Sequence, residues 1–262
     1  MEERKLREIE YYDKTTKETL GGALVLESQK VLYKLAAPLV AGKKVLDYGC
    51  GNGVHSGFLT EHAAQVVGID LSEESLKVAR ELSHKINDRQ QNETSGKVTF
   101  LKMDCEALEF PDQSFDVVFD GGTFSSLDFE KAIGEITRVL APNGVLVGIE
   151  TFGHNPFANA KRALNRITGK RTAWAASHIV QQKEIEILRQ RFEQVEVHYF
   201  HLVSLFAFPF LGLPGGPGRA GNFVLELGQH IDHVLLRIPF LQKYAFKVVF
   251  VCKNPRNDKK TV

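Results

Sequence analysis

Three features of the 262-residue chain predict an α/β fold built on a seven-stranded, mostly parallel sheet with helices on both faces. Short apolar, β-branched segments alternate with helical patterns as far as Glu150, which is the signature of strand-helix-strand units. The first such segment, Val45-Leu46-Asp47-Tyr48, runs into the glycine turn Gly49-Cys50-Gly51-Asn52-Gly53. Carboxylates at Asp47, Asp70 and Asp104 stand at or near the ends of three successive apolar segments, where open α/β sheets bind ligands.

Taken in order, residues 1 to 40 read as a charged N-terminal arm followed by a helix, and 41 to 262 as one catalytic domain. Leu24, Leu26, Val31, Leu32 and Leu35 recur at helical spacing over Ala23 to Leu39, and that helix is expected to end near Pro38. The strands follow as Val45 to Tyr48, Gln65 to Asp70, Val98 to Leu101, Phe115 to Phe119 and Val145 to Ile149. Ser72 and Asp128 are placed to cap the helices behind the second and fourth strands. His84 to Gly96 is polar and reads as a surface loop. Beyond Glu150, a helix over Lys183 to Arg191 precedes an alternating strand, Phe192 to Phe200, and a last strand, Ala245 to Cys252. The Phe-, Leu-, Gly- and Pro-rich stretch between those two strands is too long for a hairpin turn. It is expected to form a lid over about 201–243, with a second cap segment near 151–182.

Composition narrows the function. Lys and Arg number 33 against 32 Asp and Glu, so no global charge marks a nucleic-acid binder. The three cysteines are odd in number and widely spaced, which suggests neither a disulfide framework nor a metal site. With a charged N-terminus and no apolar leader, a cytoplasmic enzyme is expected.

The carboxylates have distinct uses. Asp70, about twenty residues beyond the glycine turn, can accept two ribose hydroxyls, each charge-assisted bond contributing roughly 1.5–3 kcal/mol. Asp104 can accept from an exocyclic adenine amine, and Asp47 favours a cationic ligand while repelling a pyrophosphate. Each alone is also consistent with a cap or a strand-end turn. A nicotinamide-dependent oxidoreductase would share the turn, but Gly51 and Gly53 are followed by Ser56 rather than a third glycine in register.

Val45 to Gly53 resembles the first motif of the class I S-adenosylmethionine-dependent methyltransferases, and Gly68-Ile69-Asp70-Leu71-Ser72 resembles the second. Asp104-Cys105-Glu106-Ala107-Leu108 with Phe110 to Val118 is similar to the third and fourth, and Ile136 to Gly144 to the helix and turn before the fifth strand. The resemblance is to the small-molecule, type 11-like members and covers roughly residues 40 to 150. It implies a Rossmann-like fold and S-adenosylmethionine as cofactor. Asp47, Gly49, Cys50 and Gly51 would surround the methionine part, Asp70 the ribose, Leu71 and Asp104 with the Cys105 backbone the adenine, and Asp120 would complete the set. The stretch after the fourth strand lacks the Asn-Pro-Pro-Tyr type of signature of many nucleic-acid and protein amide methylators.

On the acceptor side, the expected substrate is a small molecule methylated on O or N, such as a sugar, a natural product or a lipid-linked intermediate. His154 and His178 are candidate general bases; the other readings are a turn histidine and a helix-cap neighbour of Ser177. Residues 151–183 hold no acidic residue but include Lys161, Arg162, Arg166, Lys170, Arg171 and Lys183, which suits an anionic acceptor or an anionic membrane surface. Leu202 to Leu213 is too short to span a bilayer, but suits a pocket lid, a peripheral membrane contact or a dimer contact. A non-catalytic, cofactor-binding partner subunit is a further alternative.

Overall fold

The computed structural model describes residues 2–15, 26–89, 97–167, 172–208 and 218–256. Seven strands form one sheet in the order β3-β2-β1-β4-β5-β7-β6. They are β1 (Lys44–Tyr48), β2 (Gln65–Asp70), β3 (Lys97–Lys102), β4 (Phe115–Asp120), β5 (Leu140–Thr151), β6 (Phe192–Phe200) and β7 (Lys247–Pro255). Strands β1 to β5 pair in parallel, whereas β7 runs antiparallel to both β5 and β6.

The central strands are continuous apolar runs because both faces are covered. In β1, Leu46 and Tyr48 join a core cluster with Ile133 and Ile136 of α5 (Phe129–Val139) and Ile185 and Leu188 of α8 (Gln182–Arg191). Val45 turns the other way, toward Leu32, Ala36 and Val40 of α2 (Glu27–Val40) and Leu59 of α3 (Ser56–His62). The period of two in the sequence thus becomes a division between two helical layers. Asp128 caps α5 by accepting from Lys131 N, and Ser72 Oγ accepts from Ser75 N at the start of α4 (Glu73–Arg89).

Several boundaries differ from expectation: β5 starts at Leu140 rather than Val145, β7 runs Lys247–Pro255 rather than Ala245 to Cys252, and two helices extend further. Helix α2 passes through Pro38 and ends at Val40; Ala36 and Val40 are fully buried, so packing holds the last turn despite the proline. The polar stretch expected to be a loop from His84 is helical to Arg89. No glycine or proline stands between Ser83 and Gly96 to stop it; residues 90–96 lie outside the described residues.

The remaining helices lie around the carboxyl edge of the sheet or beyond it. They are α1 (Glu3–Thr15), α6 (Pro156–Ile167), α7 (Ala173–Ser177), α9 (Gly218–Leu235) and the short α10 (Pro239–Gln242). The lid expected between β6 and β7 contains a 3-10 turn, Ser204–Ala207, together with α9 and α10; 209–217, including Pro209, lie outside the described residues. Asp232 of α9 accepts from the backbone N–H groups of Leu202, Val203 and Ser204 and from Ser204 Oγ, which fastens α9 to the 3-10 turn.

Candidate active site

Six ionisable side chains from six different strands or strand ends follow one another along the carboxyl edge of the sheet. In spatial order they are Asp104 after β3, Asp70 on β2, Asp47 on β1, Asp120 on β4, Glu150 on β5 and Lys247 at the start of β7. This edge divides into two halves.

In the first half, the turn after β1 needs glycine: Gly49, Gly51 and Gly53 have φ of 65°, 52° and 76°, a region that side-chain-bearing residues avoid. A Cβ on Gly49 would lie 2.4 Å from the Thr123 side chain, while one on Gly51 would enter open space. Asp70 Oδ2 accepts from Gly51 N at 3.0 Å and Oδ1 from Ser72 N at 2.8 Å, so this carboxylate shapes both the turn and the start of α4. Cys50 is buried beside the turn, its N–H bonded to Ile69 O, and Leu71 is half-buried after β2. Asp47 is buried and accepts from Ser56 Oγ at 2.7 Å. Burial raises its pKa to about 7, opposed by the Ser56 bond and reinforced by Asp70. Burial also raises Asp70, against the N–H groups of Ser72 and Gly51. A cationic ligand group near Asp47 would relieve the cost of its ionisation.

Helix α1 lies against this half. Lys5 Nζ meets Asp104 Oδ2 at 2.6 Å and Glu106 Oε2 at 3.0 Å, and Arg4 meets Glu106 at 2.7 Å while stacking over Trp174 of α7. Ser72 Oγ donates to Asp13, Tyr12 and Ser126 share a hydroxyl pair, and Thr172 Oγ1 donates to Glu8. Helix α1, within the expected charged arm, is therefore a cover reaching the ends of β2 and β3 and the turn after β4. Tyr48 Oη donates to the Cys105 carbonyl, which fixes the stretch after β3 from below.

In the second half, Asp120 and Glu150 lie side by side beneath the turn Gly121-Gly122. Asp120 Oδ1 accepts from Thr123 N and Gly122 N, and Glu150 Oε1 accepts from Phe124 N at 2.5 Å. Gly148 provides the room, since a Cβ there would lie 2.9 Å from Asp120 Oδ2. That oxygen is buried and has no hydrogen-bond partner. Burial first, and then Glu150, raises the Asp120 pKa well above its ordinary value, opposed by the N–H groups of Thr123 and Gly122. Lys247 is pushed down by burial and held up by Glu150 and Asp120.

Above that turn opens a cavity of about 530 Å³. Gly121, Gly122 and Thr151 form its floor, Phe157, Lys161 and Arg162 of α6 one wall, and Leu205, Phe206 and Phe208 another, with Phe246 and Lys247 between them. The 3-10 turn of the expected lid and the expected cap segment near 151–182 thus meet around one space. Among the described residues, no group of three or more His, Cys, Asp or Glu side chains could hold a metal ion.

The two candidate histidines are placed apart from this lining. His154 Nε2 accepts from Gln182 N at 3.4 Å, and the His178 ring stacks on Trp174 with centroids 3.6 Å apart. Sequence reasoning missed Glu150 and Lys247 as members of the edge row, and Lys5 and Glu106 as the means of holding α1. A carboxylate closing the apolar run Val145 to Ile149 was the available signal for Glu150; no local pattern marked the others.

The methyltransferase-domain family profile matches residues 39–195, more than half of the chain. A demethylmenaquinone methyltransferase of Thermus thermophilus is 41% identical over 113 residues, 42% of this chain and 48% of that protein. A bovine (Bos taurus) eEF1A lysine and N-terminal methyltransferase is 37% identical over 123 residues, 45% of this chain but 16% of that protein. The chain therefore matches about half, or much less, of the length of these relatives. Among solved structures, a Haemonchus contortus phospholethanolamine N-methyltransferase 2, in complex with phosphomonomethylethanolamine and S-adenosylhomocysteine, has the same fold. It superposes with a TM-score of 0.62 at 19% identity, covering 97% of this chain and 60% of that one. The glycine turn, the strand order and the family match converge: the chain belongs to the methyltransferase-domain family.

Proposed function

We propose that the chain transfers the methyl group of S-adenosylmethionine to an oxygen or nitrogen of a small acceptor with an apolar body and an anionic group. The cavity at the carboxyl ends of β4 and β5 carries this reading. Its aromatic side chains Phe157, Phe206, Phe208 and Phe246 suit an apolar body, and Lys161, Arg162 and Lys247 suit an anion. The relatives themselves differ in the acceptors their names state, a demethylmenaquinone in one and a protein lysine in another, so the reading rests on the cavity.

The cofactor supplies an electrophilic methyl group on a sulfonium. In this reading Asp70 accepts the ribose hydroxyls, Leu71 packs on the base, and Asp104 with the Cys105 backbone meets the adenine. Asp47, Gly49, Cys50 and Gly51 surround the methionine part. Asp120 contributes by position, its carboxylate holding the Gly121-Gly122 turn from inside. Aligning acceptor and methyl carbon contributes roughly 7–11 kcal/mol of barrier reduction without any base. A hydroxyl acceptor would add the need for one; for His154 or His178 to serve, its ring must leave the partner it holds here. Full turnover by the double variant His154→Ala, His178→Ala would remove both from that role.

The test pairs calorimetric binding of S-adenosylmethionine with turnover on aromatic and aliphatic carboxylates and phosphates and their neutral analogues. The reading expects cofactor binding, and methylation that favours the anionic members. Cofactor binding without turnover on any member would support a non-catalytic binding subunit, and equal turnover on neutral analogues would remove the anionic requirement. Binding of NADH in place of S-adenosylmethionine would support the oxidoreductase alternative.

A further inference from the structure

Helix α9 has two apolar faces and packs only one of them. At about 100° per residue, Gly221, Leu225, Gly228, Asp232 and Leu235 share one arc. This is the packed side: a Cβ on Gly228 would lie 2.7 Å from Ser204 Cα, and Asp232 holds the N–H groups of 202–204. Phe223, Val224, Leu227, Ile231 and Val234 fall on an adjoining arc of roughly 100°. These are exposed, Phe223 by 65%, Leu227 by 50% and Val234 by 64%, and Ile238 and Phe240 continue the apolar surface at 48% and 64%. Scattered exposed apolar residues are ordinary, but a contiguous stripe of this kind marks an interaction surface.

Charge indicates what covers it. Among the described residues, Lys161, Arg219, Arg237 and Lys243 are exposed or half-buried and take part in no ion pair. Lys243 Nζ lies 4.3 Å from the centre of the Phe240 ring and 4.9 Å from that of Tyr244, an ammonium held beside exposed aromatic surface. Of the two acidic residues of α9, Asp232 is buried in the packed face, and Glu226 shares the arc of Arg219 two turns along, which leaves Arg237 and Lys243 as the unopposed cations beside the stripe. No described helix is long and apolar enough to cross a membrane, so a lipid contact would lie in the plane of the surface. Two copies meeting on this face would set like-charged rims together. The 3-10 turn on which α9 packs also carries Phe206. Phe206 and Phe157 are exposed by 50% and 61%, touch edge to face at 4.9 Å, and line the cavity.

We propose that the unpacked apolar stripe of α9, continued by α10 and bordered by Arg237 and Lys243, docks the protein on an anionic lipid surface. The docking is independent of methyl transfer, because it is read without cofactor or acceptor. The test is co-sedimentation of the full chain with vesicles of phosphatidylcholine alone or mixed with phosphatidylglycerol. Binding is expected on the anionic vesicles at low salt and should weaken as salt rises. The pair Phe223→Ser, Leu227→Glu, and separately Val234→Glu, should lower partitioning by about tenfold or more. All three side chains are exposed, so thermal unfolding should stay unchanged. Absence of binding to anionic vesicles at low salt, equal binding by the variants, or equal binding to neutral vesicles would each overturn the proposal. So would a stable dimer that Leu227→Glu dissociates, since a second copy would then cover the stripe.

Discussion

The two halves of the carboxyl edge are built by different means. On the side of β1, β2 and β3, the carboxylates and the glycine turn stand at the ends of three strands that follow one another in sequence. Backbone conformation does much of the work there, through three left-handed glycines and a carboxylate that bonds N–H groups on both sides. On the side of β4, β5 and β7, the cavity is assembled from α6, α7, the 3-10 turn and the start of β7, which are far apart in the chain. The first half suits a constant ligand, whereas the second can change its lining without disturbing the first. That separation explains how relatives that share the family can carry names with unlike acceptors.

The largest expected effect probes whether the first half acts alone. Asp70→Ala removes an acceptor for both Gly51 N and Ser72 N. If Asp70 accepts two ribose hydroxyls as proposed, two charge-assisted bonds at roughly 1.5–3 kcal/mol each predict a loss of S-adenosylmethionine affinity of about two to four orders of magnitude. Calorimetry measures this directly, and a loss under tenfold would break the assignment.

The complementary change belongs to the second half. Lys247→Met should raise the acceptor KM about tenfold or more, while the cofactor Kd moves less than about twofold. Steady-state kinetics with equilibrium cofactor binding would reveal a parallel shift in both, which would show that the halves are not separable.

A smaller effect concerns pH. An unfolded aspartate titrates near its ordinary value of about 3.9, but in the fold Asp47 titrates at about 7. Between these values the native state holds the extra proton, so the Asp47 contribution to stability falls as pH rises through that window. Asp47→Asn should therefore raise the Tm of the cofactor-free protein at pH 8 by roughly 2–4 °C per kcal/mol relieved, with the gain vanishing near pH 4. The same variant should bind S-adenosylmethionine more weakly. Scanning calorimetry at the two pH values checks the first point; a pH-independent difference would place the effect in packing rather than charge.

The smallest effect is a control outside both halves. Asp128→Ala removes the cap on Lys131 N and should cost about 0.5–2 kcal/mol of stability without altering the cofactor Kd or the acceptor KM. Denaturant unfolding measures it.

Legibility followed the same division. The strands β1 to β5, the caps at Ser72 and Asp128, and the carboxylates of the first half were readable because apolar periodicity and turn chemistry are local. The extension of α4 to Arg89 is not legible from polarity, because a polar stretch without glycine or proline suits a solvated helix as well as a loop. Nothing local showed that the N-terminal arm would place Lys5 on Asp104, or that Lys247 would complete a row begun by Asp104. The unpacked face of α9 is not legible locally, because its apolar residues share the helix with a packed side.

The amino-acid sequence by itself determined the α/β alternation, the glycine turn and its carboxylates, since each depends on residues close together along the chain. Only the tertiary structure decided the cavity, the α1 cover and the exposed stripe. Those features depend on which distant side chains the sheet order β3-β2-β1-β4-β5-β7-β6 brings to one edge, and no local pattern records that order.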